Sequence, residues 1–458
     1  MQLSTTYQKF IDKILPYLFA IASFGLMVRI SNIDFNAANP ASLFIFDFLT
    51  KKIAFNLSLI KLFDLLIVII LFLIIYSVKF KKLLITIKSD IKQWIIYFSF
   101  ILIFLIIGQI IGFLNTGAYN LPDVWPHFLR TLFNFFVFIA VLIIFTYDKK
   151  LIRCSMYAII ISPIVMLPIF LGYFKNDYLN AGYRLTGTMV NPQNLAIWLA
   201  ISFILGLAFL LQKPEAWKKT LLGLWLSIIS CFILWTLTRG VILALFVSIL
   251  IAVILLLKNK NPKNAFLLLL ITIITFTIGY LLIPPKSQTV LVSRTFNTQQ
   301  INVNIGENTI STTEIYNSTP KGMFTDPIRL KIWGKDINLI ISHPFGLGFN
   351  YLIIKPHQLP EYLFYPSFTV NTFLEIALAG GWGALIIFII MIIKIFTSSI
   401  KYFKKDDYIS WAWSFSLLTF LMASLFTDHF LFRNLWFILG GTAGIYLSKK
   451  YFNENTIC

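Results

Sequence analysis

The residues of this chain that could do chemistry are few and far apart in sequence. Arg184 stands in Tyr183-Arg184-Leu185-Thr186-Gly187, just before Asn191-Pro192-Gln193-Asn194. Arg239 stands in Leu237-Thr238-Arg239-Gly240, Arg329 in Arg329-Leu330-Lys331-Ile332-Trp333, and Arg433 follows Asp428-His429. Glu375 lies four residues after Asn371 in an otherwise apolar run. A guanidinium is planar, always charged and able to grip a phosphate with two parallel hydrogen bonds. Arginines placed at a membrane interface therefore suit an anionic phosphate or diphosphate. A carboxylate in an apolar helix needs a partner and is a candidate for proton transfer or for helix packing. The competing reading for a single interfacial arginine is that it reaches lipid headgroups. Asp428 and His429 beside Arg433 read as a local structural cluster. Only three cysteines occur, with no C-x-x-C, no Cys/His cluster and no D-x-D, so neither a metal site nor a cofactor is expected.

The elements that position these residues follow from composition. Of 458 residues 58% are hydrophobic and only 12% charged, where a soluble domain carries about 25% charged. That balance excludes a soluble enzyme, a disordered regulator and a secreted disulfide scaffold. Twelve apolar segments are long enough to cross a bilayer, near 14–30, 59–78, 94–114, 128–147, 152–173, 195–211, 220–238, 241–257, 265–283, 370–393, 410–431 and 435–448. None alternates as a strand would, so the fold class predicted is an all-α polytopic membrane protein. The first run lacks a small-x-small cleavage site and reads as an uncleaved span.

The formal net charge of +19 admits two explanations, nucleic acid or membrane topology. Alternating the spans puts 22 of the 38 basic residues on one side, in short clusters that are almost all lysine. That is the positive-inside pattern, and it predicts both termini in the cytoplasm and no nucleic-acid partner. Arg184, Arg239, Arg329 and Arg433 then fall on the outer side. Three regions are expected: a membrane bundle over 1–283, a large outer loop between spans nine and ten over 284–369, and a second bundle over 370–458. The loop's first half, Lys286 to Thr325, is rich in Asn, Thr, Ser and Gln and reads as irregular. Its second half carries an amphipathic helix near 326–342, begun by Asp326-Pro327 and stopped by His343-Pro344.

Four stretches together resemble the Wzy/WaaL-like O-antigen ligase and O-antigen polymerase family. Arg184 to Gly187 with Asn191 to Ala196 is similar to R-x-x-G followed by N-x-N-x-x-A. Leu237 to Gly240 is similar to a T-x-S-R-G corner. Arg329 to Trp333, with Pro344-Phe345-Gly346-Leu347-Gly348, is similar to R-x-x-x-W followed by P-x-x-G-x-G. Asn371 to Glu375 with Gly380-Gly381-Trp382-Gly383 is similar to H-N-x-x-L-E followed by glycines.

The resemblance covers about residues 180 to 450 and implies a GT-C-like glycan transferase of the bacterial inner membrane. Its donor would be a glycan on undecaprenyl diphosphate and its acceptor a glycan or lipid A core. Membrane lipids and a chain-length regulator are the further partners implied. By motif, Arg239 and Arg329 correspond to the family's two arginines, with Glu375 or a loop histidine (His343, His357) as base. Arg184, Asn191, Asn194, Trp333, Asn371 and Arg433 would bind substrate. The family's histidine falls on Val370, which favours a polymerase over a ligase. A flippase for lipid-linked sugars is the rival from another class. It would place its polar residues near the bilayer midplane.

Overall fold

In the computed structural model, the described residues are 5–25, 59–116, 121–167, 185, 192–212, 215–296, 327–351, 371–401, 407–427 and 430–451. Fourteen α-helices occur among them. They are α1 (Thr5–Gly25), α2 (Leu59–Ile75), α3 (Val78–Thr116), α4 (Leu121–Tyr147), α5 (Lys149–Ile161), α6 (Pro192–Leu211) and α7 (Ala216–Trp235). Then follow α8 (Arg239–Lys258), α9 (Pro262–Leu282), α10 (Pro285–Phe296), α11 (Pro327–Ser342), α12 (Thr372–Lys401), α13 (Tyr408–Ala423) and α14 (Arg433–Tyr451). No strand occurs among the described residues. Hydrocarbon offers no hydrogen bonds, so a helix, which satisfies its own peptide groups, is the economical way to cross. Seven helices are long and apolar enough to do so: α3, α4, α6, α7, α8, α9 and α12. The protein is thus an all-helical, multi-span membrane protein.

Several boundaries depart from the sequence reading. The connection expected between 78 and 94 is helical, and α3 runs unbroken for 39 residues, about 58 Å at 1.5 Å per residue. Its lysine-bearing first part therefore extends well beyond a single bilayer crossing. The expected irregular stretch from Lys286 begins instead with α10. Pro285 opens that helix, and Gln288 Nε2 donates to the terminal carbonyls of α9 at Tyr280 (3.0 Å) and Ile283 (2.9 Å). The span expected at 152–173 begins as α5, capped by Asp148 accepting from the Lys150 N–H at 2.8 Å, and tightens into a 3₁₀ turn at Ser162–Met166 where Pro163 enters.

The helices pack in pairs, α4 along α14, α3 along α12, α7 along α9 and α13 along α6. The α6 helix is buried on nearly every face, which is why it shows no amphipathic stripe. Gly440 and Gly444 let α14 lie against the α4 backbone. A Cβ there would fall 2.5 Å from the Phe138 carbonyl and 2.7 Å from the Leu142 carbonyl.

Lys394, Lys449 and Lys450 lie at the end of the bundle opposite Arg239 and Arg433. At one end Lys450 and Tyr451 hydrogen-bond Asp90, Lys449 pairs with Asp407, and Lys394 lies over the rings of Trp94 and Tyr97. Burial acts to lower the pKa of the Lys450 ammonium, but the bonds to Tyr451 and Asp90 and the Asp90 charge outweigh it and hold the group above the ordinary lysine range. At the other end lie Arg239 and Arg433, the first residues of α8 and α14.

At the arginine end α12 breaks. Gly381 has φ 70° and ψ −172°, which would separate the Trp382 N–H from its helical acceptor, the Leu378 carbonyl. The Pro344–Leu347 turn takes up both groups. Trp382 N–H donates to the Pro344 carbonyl at 3.0 Å, and the Leu347 N–H donates to the Leu378 carbonyl at 2.7 Å. These two groups at the kink thereby keep hydrogen-bond partners inside the apolar bundle. Gly346 (φ 86°) makes the exchange possible, because a Cβ there would fall 2.5 Å from the Gly381 nitrogen. Gly381→Ala should therefore destabilise the protein by more than about 3 kcal/mol, from the positive φ and the collision with the Phe345 backbone. Gly223→Ala, whose Cβ meets nothing within 4 Å inside α7, should be neutral or stabilising by up to about 1 kcal/mol. Thermal unfolding of both variants in one detergent checks the contrast.

Candidate functional site

The turn joining α13 to α14 is the meeting point of segments that lie far apart in sequence. Its polar backbone is held from the start of α12. Asn371 Oδ1 caps that helix by accepting from the N–H of Phe373 (2.9 Å) and Leu374 (3.2 Å), while its Nδ2 donates to the Leu425 carbonyl at 3.1 Å. The Thr372 N–H reaches the carbonyls of Ser424 (3.0 Å) and Thr427 (3.1 Å), and its hydroxyl donates to Thr427 at 2.8 Å. Glu375, 1% exposed, accepts from the Phe430 N–H at 3.3 Å and from the Tyr351 hydroxyl at 3.3 Å. Its carboxylate therefore fastens the 348–351 segment to the turn.

The other motif segments touch the same turn. Gly240, beside Arg239, lies so close to Phe426 that a Cβ would fall 3.0 Å from its ring. Trp333 of α11 lies with its ring centroid 6.5 Å from that of Phe426, and its indole Nε1 is buried without a hydrogen-bond partner among the described residues. Leu185 donates its N–H to the Trp235 carbonyl at 3.1 Å, one turn before the Arg239 corner. The Arg433 guanidinium lies 5.0 Å from the centre of the Phe133 ring of α4.

The corner carrying Arg239 is strained. Leu237 has φ 52°, a conformation that costs a branched side chain about 1–2 kcal/mol. It is 3% exposed and hydrogen-bonded back to Leu234 at 3.0 Å, so burial over-determines it. The strained turn brings the chain round so that Arg239 opens α8.

Three helices at this site carry arginine within their first turn and no acidic residue there: Arg239 first in α8, Arg433 first in α14, Arg329 third in α11. A helix N-terminus already bears about half a positive charge and N–H groups with no partner inside the helix. Adding guanidinium makes each first turn more positive, an arrangement relieved by an anion.

Of the residues singled out from sequence, Arg239, Arg433, Glu375, Asn371 and Trp333 are brought around one turn. Asn194 is the third residue of α6, half-buried. Arg329 is placed by its backbone in α11, and its side chain lies outside the described residues, as do Arg184, Asn191, Val370, His357, Asp428 and His429 entirely. His343 ends α11 with Nδ1 2.9 Å from the Ser342 hydroxyl and 3.1 Å from the Leu339 carbonyl, a capping position. Among the described residues no three His, Cys, Asp or Glu gather as metal ligands.

Sequence reasoning missed Tyr351, Phe426, Asn134, His127 and Asp336. Asp336 could have been noticed: it interrupts the stripe Ile332–Ile340 of α11 and is fully buried. The others carried no signal, because their roles come from packing. Replacing Glu375 by Ala should cost about 2–4 kcal/mol, since two buried donors lose their acceptor. Glu375→Gln should lose roughly half of that, because an amide offers one acceptor oxygen. Thermal unfolding of both variants beside wild type measures it.

Residues 222–389 match the family model Wzy_C, described as O-Antigen ligase. No curated protein matches the chain. The matched residues run from α7 into α12 and include Arg239, Arg329, Trp333, Asn371 and Glu375. The chain is a multi-span membrane protein that over residues 222–389 is similar to the Wzy_C, O-Antigen ligase, family.

Proposed function

We propose that this protein joins a glycan carried on undecaprenyl diphosphate to a sugar hydroxyl, on the outer face of the bacterial inner membrane. The observation that carries the reading is the gathering of arginine-bearing helix starts around the 424–430 turn, at the end of the bundle opposite the lysines. In this reading α1, α2, α5, α13 and α14 join the seven long spans to make twelve crossings, with both termini in the cytoplasm. The α11 helix lies along the outer interface.

The isoprenoid tail of the donor stays in the bilayer and its diphosphate rests at the interface. Arg239 and Arg329 stabilise that diphosphate as negative charge develops on it, the largest single contribution open to a preorganised site. Arg184 and Arg433 hold the outer phosphate and saccharide, with Asn191, Asn194 and Asn371 near the sugar and Trp333 offering an aromatic face. Glu375 acts as a positioning residue, since both its oxygens hold structural donors. The absence of D-x-D from the sequence supports a reaction that needs no metal.

Val370, at the position where the resemblance puts a histidine, supports a polymerase that joins repeat units. The second reading, a ligase that moves the finished glycan to lipid A core, is favoured by the description of the matched family. Deleting the gene and running surface polysaccharide on a gel separates them. A single repeat unit on the core marks a polymerase; bare core with glycan still lipid-linked marks a ligase. Complementation with Arg239→Ala or Arg329→Ala should lower transfer by about 10²-fold or more, and Arg239→Lys should recover only part. Wild-type glycan length and attachment in both alanine variants, at normal protein level, would sink the catalytic reading and leave a flippase or an assembly partner.

A further inference from the structure

Joining a hydroxyl to an anomeric carbon releases a proton, and the groups described so far do not take it. Glu375 is occupied by Tyr351 and Phe430. His343 Nδ1 caps its own helix. The α4 helix, which lies outside the matched residues 222–389, carries a third candidate. His127 stacks on Phe349 with ring centroids 6.0 Å apart and planes 29° from parallel. Phe349 is bound through its N–H to Gln109 at 3.0 Å, and Asn350 and Tyr351 follow it, so the imidazole abuts the segment that Glu375 fastens. His127 Nδ1 is buried and has no hydrogen-bond partner among the described residues.

A second observation points the same way. Asn134 is seven residues on, which places it on the same face of α4. It is fully buried, its Nδ2 donates to the Phe430 carbonyl at 3.4 Å, and its Oδ1 has no hydrogen-bond partner among the described residues. An unmet buried polar atom is costly unless water or ligand supplies the bond. Two of them on one helix face, turned toward the 349 and 430 segments, describe a surface made for hydroxyl groups. Phe133, between them in sequence, supports Arg433, which ties this face to the proposed diphosphate side.

We propose that α4 supplies the acceptor-sugar subsite and that His127 is the catalytic base. This rests on the transferase reading above. The acceptor oxygen forms its bond to the anomeric carbon, and the bond from that carbon to the diphosphate oxygen breaks. The electron pair leaves on undecaprenyl diphosphate, and the hydroxyl proton passes to the His127 imidazole and then to water. The charged group acting on His127 from its own helix is Arg130. On the facing segment Tyr351, bonded to Glu375, is the nearest titratable residue in sequence to Phe349. Gln109 of α3 contributes no titratable group.

The test uses the full-length protein in lipid nanodiscs with lipid-linked glycan extracted from cells lacking it. His127→Gln should fold, bind the lipid-linked donor as wild type does, and transfer about 10²–10⁴-fold more slowly. Added imidazole should restore part of the rate to His127→Ala and none to Arg239→Ala. Wild-type turnover by His127→Gln overturns the assignment. So does a loss of rate that comes with loss of donor binding and no rescue, which marks a packing role. A wild-type protein that transfers nothing overturns the transferase reading itself, and an active wild type with an indifferent His127 variant overturns this inference alone.

Discussion

A turn of irregular backbone inside an apolar bundle must find hydrogen bonds for each of its peptide groups, because hydrocarbon supplies none. Among the described residues of the turn after α13, several peptide groups find partners at the polar start of α12 and in two side chains from α4 and α14. Asn371 and Thr372 take its carbonyls, Glu375 takes its Phe430 N–H, and Trp436 Nε1 donates to the Phe430 carbonyl at 2.7 Å. The rest of the site is arranged around this solution. Phe426 is held where it packs against Gly240 and Trp333, and the residues after the turn lead directly into Arg433.

The same accounting explains the break in α12. At the kink the Trp382 N–H and the Leu378 carbonyl find partners in the Pro344–Leu347 turn. The two irregular segments of the site, 344–350 and 424–430, are thus each bonded to α12, one near Gly381 and the other near Asn371. The helix acts as a common brace, with Glu375 linking Tyr351 on one side to Phe430 on the other. Substitutions here should move stability and geometry together. Changes at Arg239, which opens its helix beyond this brace, should move chemistry more than folding.

Charge follows a division of labour that physics makes intelligible. Lysines meet acidic partners and aromatic rings at one end of the bundle, as Lys450 does with Asp90 and Lys394 with Trp94. Arginines open helices at the other end, where the helix dipole adds to their charge. A topological signal needs only a cation, whereas a phosphate grip gains from a rigid fork. In the proposed function the +19 of the whole chain divides into two populations with different tasks.

Much of this was legible in the sequence. Long apolar runs dictate helices, since only helices satisfy their own backbones in lipid. Asp326-Pro327 marks the start of α11 because proline lacks the N–H that a first turn cannot use. The Thr-Arg-Gly corner and the Asn371–Glu375 pair were likewise visible as local patterns. What the sequence could not give was adjacency. The continuity of α3 through a lysine-rich stretch, the exchange of bonds between Gly381 and Pro344, and the seating of His127 and Asn134 against segments more than two hundred residues away are decided by packing. Local pattern records what each residue can do with its near neighbours. Which distant peptide groups and side chains remain to be satisfied is known only once the helices have closed on one another.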